Sequence, residues 1–512
     1  MKKRVVAILM TTVLAVSMLV GCGGKKTGGD GKDHTSSNKD KIDVEIGFWY
    51  AGLGIEWLDA LIDAFEEKHP EYNVFYNSSA DSAAVRAAFG MPDTDTTDLY
   101  MVGKLFDIAN LEPLNDVLET TVEGESKTIG EKFNPSYLEL EKCSDGNYYA
   151  LSRGGGVYGI VYNKKLFDKT GITQLPRTTD ELLLDCGMLK DEGITPIVHF
   201  TPSGYYSCIN LAWYAQYEGI DYFLDIYQNP TLEKFTKKDG RYEVLKLHEK
   251  LNTPENVLSG SNSSTHITMQ TKFLEGEAAM MVSGSWLASE MNYSDKMDDF
   301  AMMKTPVISS TTDKLTTVKS EQELRKLISA IDNVTDGVES EDTYKDGDDY
   351  KVEDKSISAA DWDYVRTARN LMNTSYAADS CYIPKYSDSK EGAKEFLKFM
   401  YSDEGYKIYS KTSHLTLPLS LDKGEIDTSS WSSFEKNQWD LLSKATIIAE
   451  EMMSKNRLYT DGGANIFPYS YEFIPLMCSN NEADRVNADQ AWDAIVATIN
   501  DRYERDWMAN IK

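Results

Sequence analysis

Between Val44 and Gly103 the chain alternates short apolar runs with amphipathic stretches, and few architectures accept that rhythm. Val44-Glu45-Ile46-Gly47-Phe48-Trp49-Tyr50 alternates and then turns aromatic, which predicts a strand running into a loop. From Glu56 to His69, the residues Trp57, Leu58, Leu61, Ile62 and Phe65 recur at helical spacing. Pro70 ends that run, because it lacks an N–H and its ring clashes with the preceding turn. Tyr72 to Tyr76 reads as a second strand, Ala83 to Phe89 as a short helix, and Asp98 to Gly103 as a third strand. A β-α-β-α-β order predicts an α/β fold on a largely parallel sheet. The rhythm resumes with strand Gly159–Tyr162, helix Asp180–Glu192, strand Thr195–Phe200, helix Ile209–Glu218 and strand Ala278–Val282. Ala393, Phe396, Leu397 and Met400 mark a later amphipathic helix, and Gln490 to Trp507 reads as a C-terminal one. At 512 residues the chain accommodates two or three such units, each able to bury a core.

The N-terminus predicts location. Lys2, Lys3 and Arg4 precede an apolar run, Val5 to Val20, that is short for a membrane span. It closes on Leu19-Val20-Gly21-Cys22, which resembles the bacterial lipobox. That resemblance implies a signal peptide over 1–21, cleavage before Cys22 and lipidation of its thiol. Two acyl chains hold a protein stably where one does not. The Gly/Lys/Ser-rich stretch 22–41 buries nothing and is expected to be a flexible tether. The expected site is the extracytoplasmic face of a bacterial membrane, with membrane contact through the lipid alone.

Charge and cysteines narrow the partners. The formal charge is −29, and setting aside the +5 of the first 41 residues leaves −34 beyond them. Such acidity argues against nucleic acid, whose phosphates need clustered Lys and Arg. Six cysteines in this length are too few for a disulfide scaffold; after Cys22, five remain, an odd number best read as small core residues. Residues 309–360 are rich in Ser, Thr, Asp, Lys and Glu and predict a partly mobile surface insertion with one helix, Glu321–Ile331. Its Asp346-Gly347-Asp348-Asp349 lacks the EF-hand register and reads as a solvated acidic loop.

Catalytic motifs fail on context. Gly154-Gly155-Gly156-Val157-Tyr158-Gly159 satisfies G-x-G-x-x-G, but the β-branched and aromatic run after it predicts a strand. Pyrophosphate binding needs a helix N-terminus there. There is no G-x-S-x-G elbow, P-loop or H-E-x-x-H helix, and the six His lie far apart in sequence. No cofactor and no metal are expected.

Several segments, in order, resemble the extracellular solute-binding proteins of bacterial ABC importers, in the carbohydrate-binding group called family 1. Phe48-Trp49-Tyr50 with helix Glu56–Pro70 is similar to that family's first strand-helix unit. Asp98-Leu99-Tyr100-Met101-Val102-Gly103 resembles its third strand, and Leu111-Glu112-Pro113-Leu114-Asn115 its L-x-P-L-D segment. Gly159-Ile160-Val161-Tyr162-Asn163-Lys164-Lys165-Leu166-Phe167 is close to its Y-N-K-x-L-F signature. Phe273 to Trp286 follows its F-x-x-G…G-x-W pattern, Ala393 to Gly405 its A-x-x-F-L…E-G pattern, and Leu417-Pro418 its late turn.

The resemblance implies a two-lobe, periplasmic-binding-protein-like fold of type II, with a ligand cleft and a hinge of crossing strands. The crossings are expected near Arg153–Tyr162, Ser380–Tyr386 and Thr416–Leu421. Lobe one would take 42–155 plus 381–424, and lobe two 156–380 plus 425–512. It implies capture of a mono- or oligosaccharide by hinge closure and delivery to membrane permease subunits by a monomer, with no bond broken. A surface glycan-acting enzyme and a sensory or interaction lipoprotein are the alternatives.

A sugar offers polar edges and apolar C–H faces, so its site pairs flat aromatic rings with hydrogen-bonding groups. By family position Trp286 is the leading ring, joined by Trp49 and Tyr50 at the end of the first strand and by Tyr158 beside the glycines. Asp81 and Lys104 fall at the expected polar edge of lobe one, and Arg153 is a candidate clamp for hydroxyls or a carboxylate. Tyr205, Tyr206 and Trp213 follow a lobe-two strand, and Tyr469 and Tyr471 form a late aromatic patch.

Overall fold

The computed structural model describes residues 41–50, 54–103, 105–153, 157–200, 204–229, 231–291, 296–336, 342–374, 380–420, 425–449, 473–503 and 505. Cys22 with the leader and tether, Lys104, the glycines 154–156, Tyr469 and Tyr471 lie outside these residues.

Two sheets organise the molecule. The first has the order β2 (Tyr72–Ser79), β1 (Ile42–Trp49), β3 (Leu99–Val102), β13 (Ser380–Tyr382) and β4 (Leu151–Ser152). β1 runs parallel to both β2 and β3, as the alternating sequence predicts, while β13 and β4 enter antiparallel. The helix Glu56–Lys68 connects β1 to β2 and buries Trp57, Leu58, Leu61, Ile62 and Phe65. Each such side chain contributes roughly 1.5–3 kcal/mol by leaving water. Glu56 and Asp59 in its first turn favour the positive end of the helix dipole.

The second sheet has the order β14 (Thr446–Ile448), β12 (Leu371–Thr374), β5 (Val157–Asn163), β7 (Met280–Gly284) and β6 (Ile197–Val198), with β8 (Phe300–Met303) also on β5. This sheet is mixed rather than largely parallel: β5 is antiparallel to β7, β8 and β12, and only β12–β14 and β6–β7 are parallel. The expectation of parallel strands fails here because β7 and β8 return to opposite sides of β5 through long helical excursions, which local alternation does not reveal. The helix Gly204–Glu218 lies under this sheet and buries Tyr206, Ile209, Trp213 and Tyr214.

The 309–360 region is more built than a loose insertion. The helix Glu321–Thr335 starts in a capping box of Ser320 and Glu323 and buries Leu324, Leu327, Ile328, Ala330 and Ile331. A small antiparallel sheet of β9 (Thr343–Asp346), β10 (Asp349–Val352) and β11 (Lys355–Ile357) lies against it. The acidic Asp346–Asp349 run is its hairpin turn, with Gly347 at φ +65° taking the left-handed position. Tyr350 stacks on Trp362 at 4.1 Å and 7°, within a separate apolar core that includes Val318 and Val365. The polar composition misled because half of its residues face water while a regular apolar minority forms that core.

Among the described cysteines, Cys143, Cys186, Cys381 and Cys478 are buried, as small core residues. No helix among the described residues is long and apolar enough to cross a membrane.

Candidate functional site

The connections between the sheets locate the site. β4 ends at Ser152 in the first sheet and β5 begins at Val157 in the second. Five residue steps span at most about 18 Å. β12 ends at Thr374 in the second sheet and β13 begins at Ser380 in the first, a reach of at most about 21 Å. These short links keep the two linked sheet ends within about 21 Å of each other.

Register identifies which residues stand at those ends. In the first sheet β1, β2 and β3 all point their C-terminal ends there, so Trp49, Tyr50, Ser79 and Val102 converge. Ligands of α/β sheets bind beyond such C-terminal ends. Trp49 is half-buried, and its Nε1 donates to the Ala80 carbonyl at 2.9 Å, which ties the end of β1 to the loop after β2. Asp81 is exposed in that loop; its Oδ1 accepts the Ala83 N–H at 2.9 Å and caps the short helix Ser82–Arg86. Arg86 Nη1 donates to the Gly103 carbonyl at 2.9 Å, pinning this helix to the end of β3. Tyr50 is half-buried against the same core.

In the second sheet the linked end holds the start of β5 and the ends of β6, β7 and β12. Three half-buried rings meet there. Tyr158 and Trp286 are edge to face at 4.8 Å, Tyr205 and Trp286 at 5.3 Å, and Tyr158 and Tyr205 are tilted at 5.8 Å. Trp286 Nε1 donates to Tyr205 Oη at 3.1 Å. Behind them Phe200 is edge to face with Tyr205 at 5.0 Å, and His266 lies 5.9 Å from Phe200. Such contacts hold aromatic rings in fixed pitch and are worth roughly 0.5–1.5 kcal/mol each beyond burial. Phe200 and His266 were not singled out in the sequence; Phe200 is signalled only as the last residue of the strand expected over Thr195–Phe200.

Three expected contacts are corrected. Tyr206 and Trp213 are core residues of the second sheet's far side. Tyr206 Oη donates to Asn252 Oδ1 at 3.1 Å, and Trp213 Nε1 to the Pro306 carbonyl at 3.1 Å. Helical spacing explains the split: Tyr205 faces the edge while its neighbour Tyr206 points about 100° away, into the core. Arg153 is also buried, its guanidinium 4.8 Å from the Trp57 ring and 5.3 Å from the Phe48 ring, so it stacks within the first lobe's aromatic core instead of clamping a ligand. The Trp213→Phe variant is expected to lose about 1–2 kcal/mol in chemical denaturation, for one indole bond and its volume, with ligand affinity unchanged. Weakened affinity at unchanged stability would return Trp213 to the site.

One constellation invites an enzymatic reading. Cys478 Sγ lies 4.0 Å from His199 Nε2, which meets Asn262 Oδ1 at 2.7 Å. Burial raises the Cys478 thiol and lowers the His199 imidazole. An activated thiolate needs the opposite pair of shifts, so this group is a neutral core contact. Among the described residues no three His, Cys, Asp or Glu side chains cluster as a metal would require.

Several known proteins resemble this chain. A diacetylchitobiose-binding protein of Streptomyces coelicolor is 24% identical over 381 residues, covering 74% of this chain and 64% of that protein. An uncharacterised ABC transporter extracellular-binding protein of Pyrococcus horikoshii is 25% identical over 210 residues, 38% of this chain and 45% of its own length. The chain thus spans less than two thirds of each. The crystal structure of the bacterial solute receptor AcbH, described as having an exclusive preference for β-D-galactopyranose, superposes with a TM-score of 0.61 at 15% identity, over 91% of this chain and 98% of that one. Its likeness shows the two-lobe fold. The family described as bacterial extracellular solute-binding protein matches residues 51–407, and this chain belongs to that family.

Proposed function

We propose that the protein captures a mono- or oligosaccharide at the facing edges of its two sheets and delivers it to the permease of an ABC importer. The observation that carries this reading is the ring group Tyr158, Tyr205 and Trp286; Trp49, Tyr50 and Asp81, at the ends of β1 and β2, would form the opposing wall. Flat rings suit the C–H faces of a pyranose, and an exposed carboxylate suits its hydroxyls. The diacetylchitobiose-binding relative and the galactopyranose-preferring receptor support sugar as the ligand class. Lobe one would comprise 42–155 plus 381–424, and lobe two 156–380 plus 425–512. Ligand held by both lobes favours the closed form, which the permease then reads. Lys104, Tyr469 and Tyr471 complete the proposed site. Cys22 carries the lipid, the protein acts as a monomer, and the sugar leaves chemically unchanged.

A thermal-shift screen tests this. Diacetylchitobiose, maltose and galactose are compared with free amino acids and short peptides. A sugar at a hundredfold excess over its dissociation constant stabilises the native state by about 2.7 kcal/mol. Stabilisation by peptides with none from any sugar defeats the carbohydrate reading; hydrolysis of the added sugar defeats the binding-only reading.

A further inference from the structure

We propose that Gly284 is a positioning residue that sets the pitch of the Trp286 ring before any ligand arrives. The inference rests on the reading of Trp286 as a sugar plate. Gly284 is the last residue of β7, and Trp286 lies in the turn that follows it. Gly284 is the register partner of Tyr158 across the β5–β7 pair. A side chain at 284 would ordinarily occupy the space beside Tyr158. Because 284 has none, the Trp286 ring folds back over the strand and fills it, meeting Tyr158 at 4.8 Å. The closeness is extreme: a Cβ at Gly284 would lie 2.1 Å from Cζ3, 2.2 Å from Cη2 and 2.6 Å from Cε3 of Trp286.

Gly284 is not demanded by the backbone. Its φ lies outside the left-handed region, so alanine fits the strand conformation there. What alanine cannot do is leave the indole where it is. The second restraint is Tyr205 Oη, which receives the indole N–H at 3.1 Å. Glycine below and tyrosine at the edge thus hold the plate rigid, and a pre-oriented ring spares the ligand the cost of ordering it.

The test uses the full chain labelled with 5-fluorotryptophan, whose nine tryptophans give nine fluorine resonances. The Trp286 signal is assigned by its loss in Trp286→Ala. In Gly284→Ala this resonance is expected to move without added sugar, while signals of distant tryptophans stay. Affinity for diacetylchitobiose or maltose falls about tenfold, yet Gly284→Ala adds less than twofold when residue 286 is already alanine, because no ring remains to displace. An unmoved resonance, or an equal loss in both backgrounds, overturns the proposal. Tyr205→Phe keeps the ring and removes the acceptor of the indole N–H; should Gly284→Ala fail to fold, this variant must shift or broaden the same resonance, and an unchanged signal overturns the proposal. If neither sugar binds the unaltered protein, the carbohydrate reading fails, while the ligand-free resonance still decides whether Gly284 and Tyr205 hold the ring.

Discussion

Replacing Trp286 with alanine is expected to weaken sugar binding roughly a hundredfold, about 2.7 kcal/mol, measured by titration calorimetry against whichever panel sugar binds. The ring is half-buried and fixed on three sides, by Gly284 beneath, Tyr158 at its edge and Tyr205 at its nitrogen. A ring so restrained has little freedom to lose, so nearly all of its contact with a sugar face counts toward affinity. Its removal exposes the flanks of two tyrosines but opens no closed cavity, and the loss in folding stability stays near 1 kcal/mol. Trp286→Phe separates two contributions: it keeps a plate and loses the tether to Tyr205, and an intermediate affinity is expected. Unchanged affinity in Trp286→Ala would remove the ring from the site and, with it, the argument that lobe two supplies the apolar wall.

Much of this was legible in the residues because it is local. The helix Glu56–Lys68 needs only the spacing of five apolar side chains and a following proline. The rings at 158 and 286 were nominated from motif position, and the structure brings them together across a β5–β7 register that no single segment encodes. Where the reading went wrong, the deciding information was long-range. Tyr205 and Tyr206 are adjacent and chemically alike, yet only the direction of a buried helix separates an edge ring from a core ring. Arg153 sits beside the crossing, as expected, but whether it turns toward the cleft or inward depends on Phe48 and Trp57, about a hundred residues earlier. The mixed order of the second sheet likewise follows from returns of more than a hundred residues.

The crossing holds one further group whose titration should be visible in stability. Glu141 ends the helix Pro135–Glu141 and is fully buried. One oxygen accepts the N–H of Ser152, the last residue of the first sheet before the crossing, and the other has no hydrogen-bond partner among the described residues. The same helix touches the second sheet, where Ser136 Oγ accepts the Ile447 N–H at 3.3 Å. Burial pushes the Glu141 carboxyl well above the usual carboxylate range, with the Ser152 bond opposing it. In the unfolded chain it titrates near the ordinary value of about 4.3. The folded protein therefore holds a proton that the unfolded chain releases, so this contribution is complete at low pH and is lost as pH rises toward the folded value. Its slope is about 1.4 kcal/mol per pH unit between the unfolded and folded values. Asp185, which burial raises to about 7, adds a contribution of the same sign, so the total curve does not isolate Glu141. The difference between the unaltered protein and Glu141→Gln does. Glutamine keeps an acceptor for Ser152 and cannot ionise. In chemical denaturation the variant is expected to gain steadily on the unaltered protein as pH rises from 5 to 7. Parallel curves across that range would mean that Glu141 is already ionised in the fold, with water or a cation reaching its second oxygen. The crossing would then be wetter, and its geometry less fixed, than the fully buried carboxyl implies.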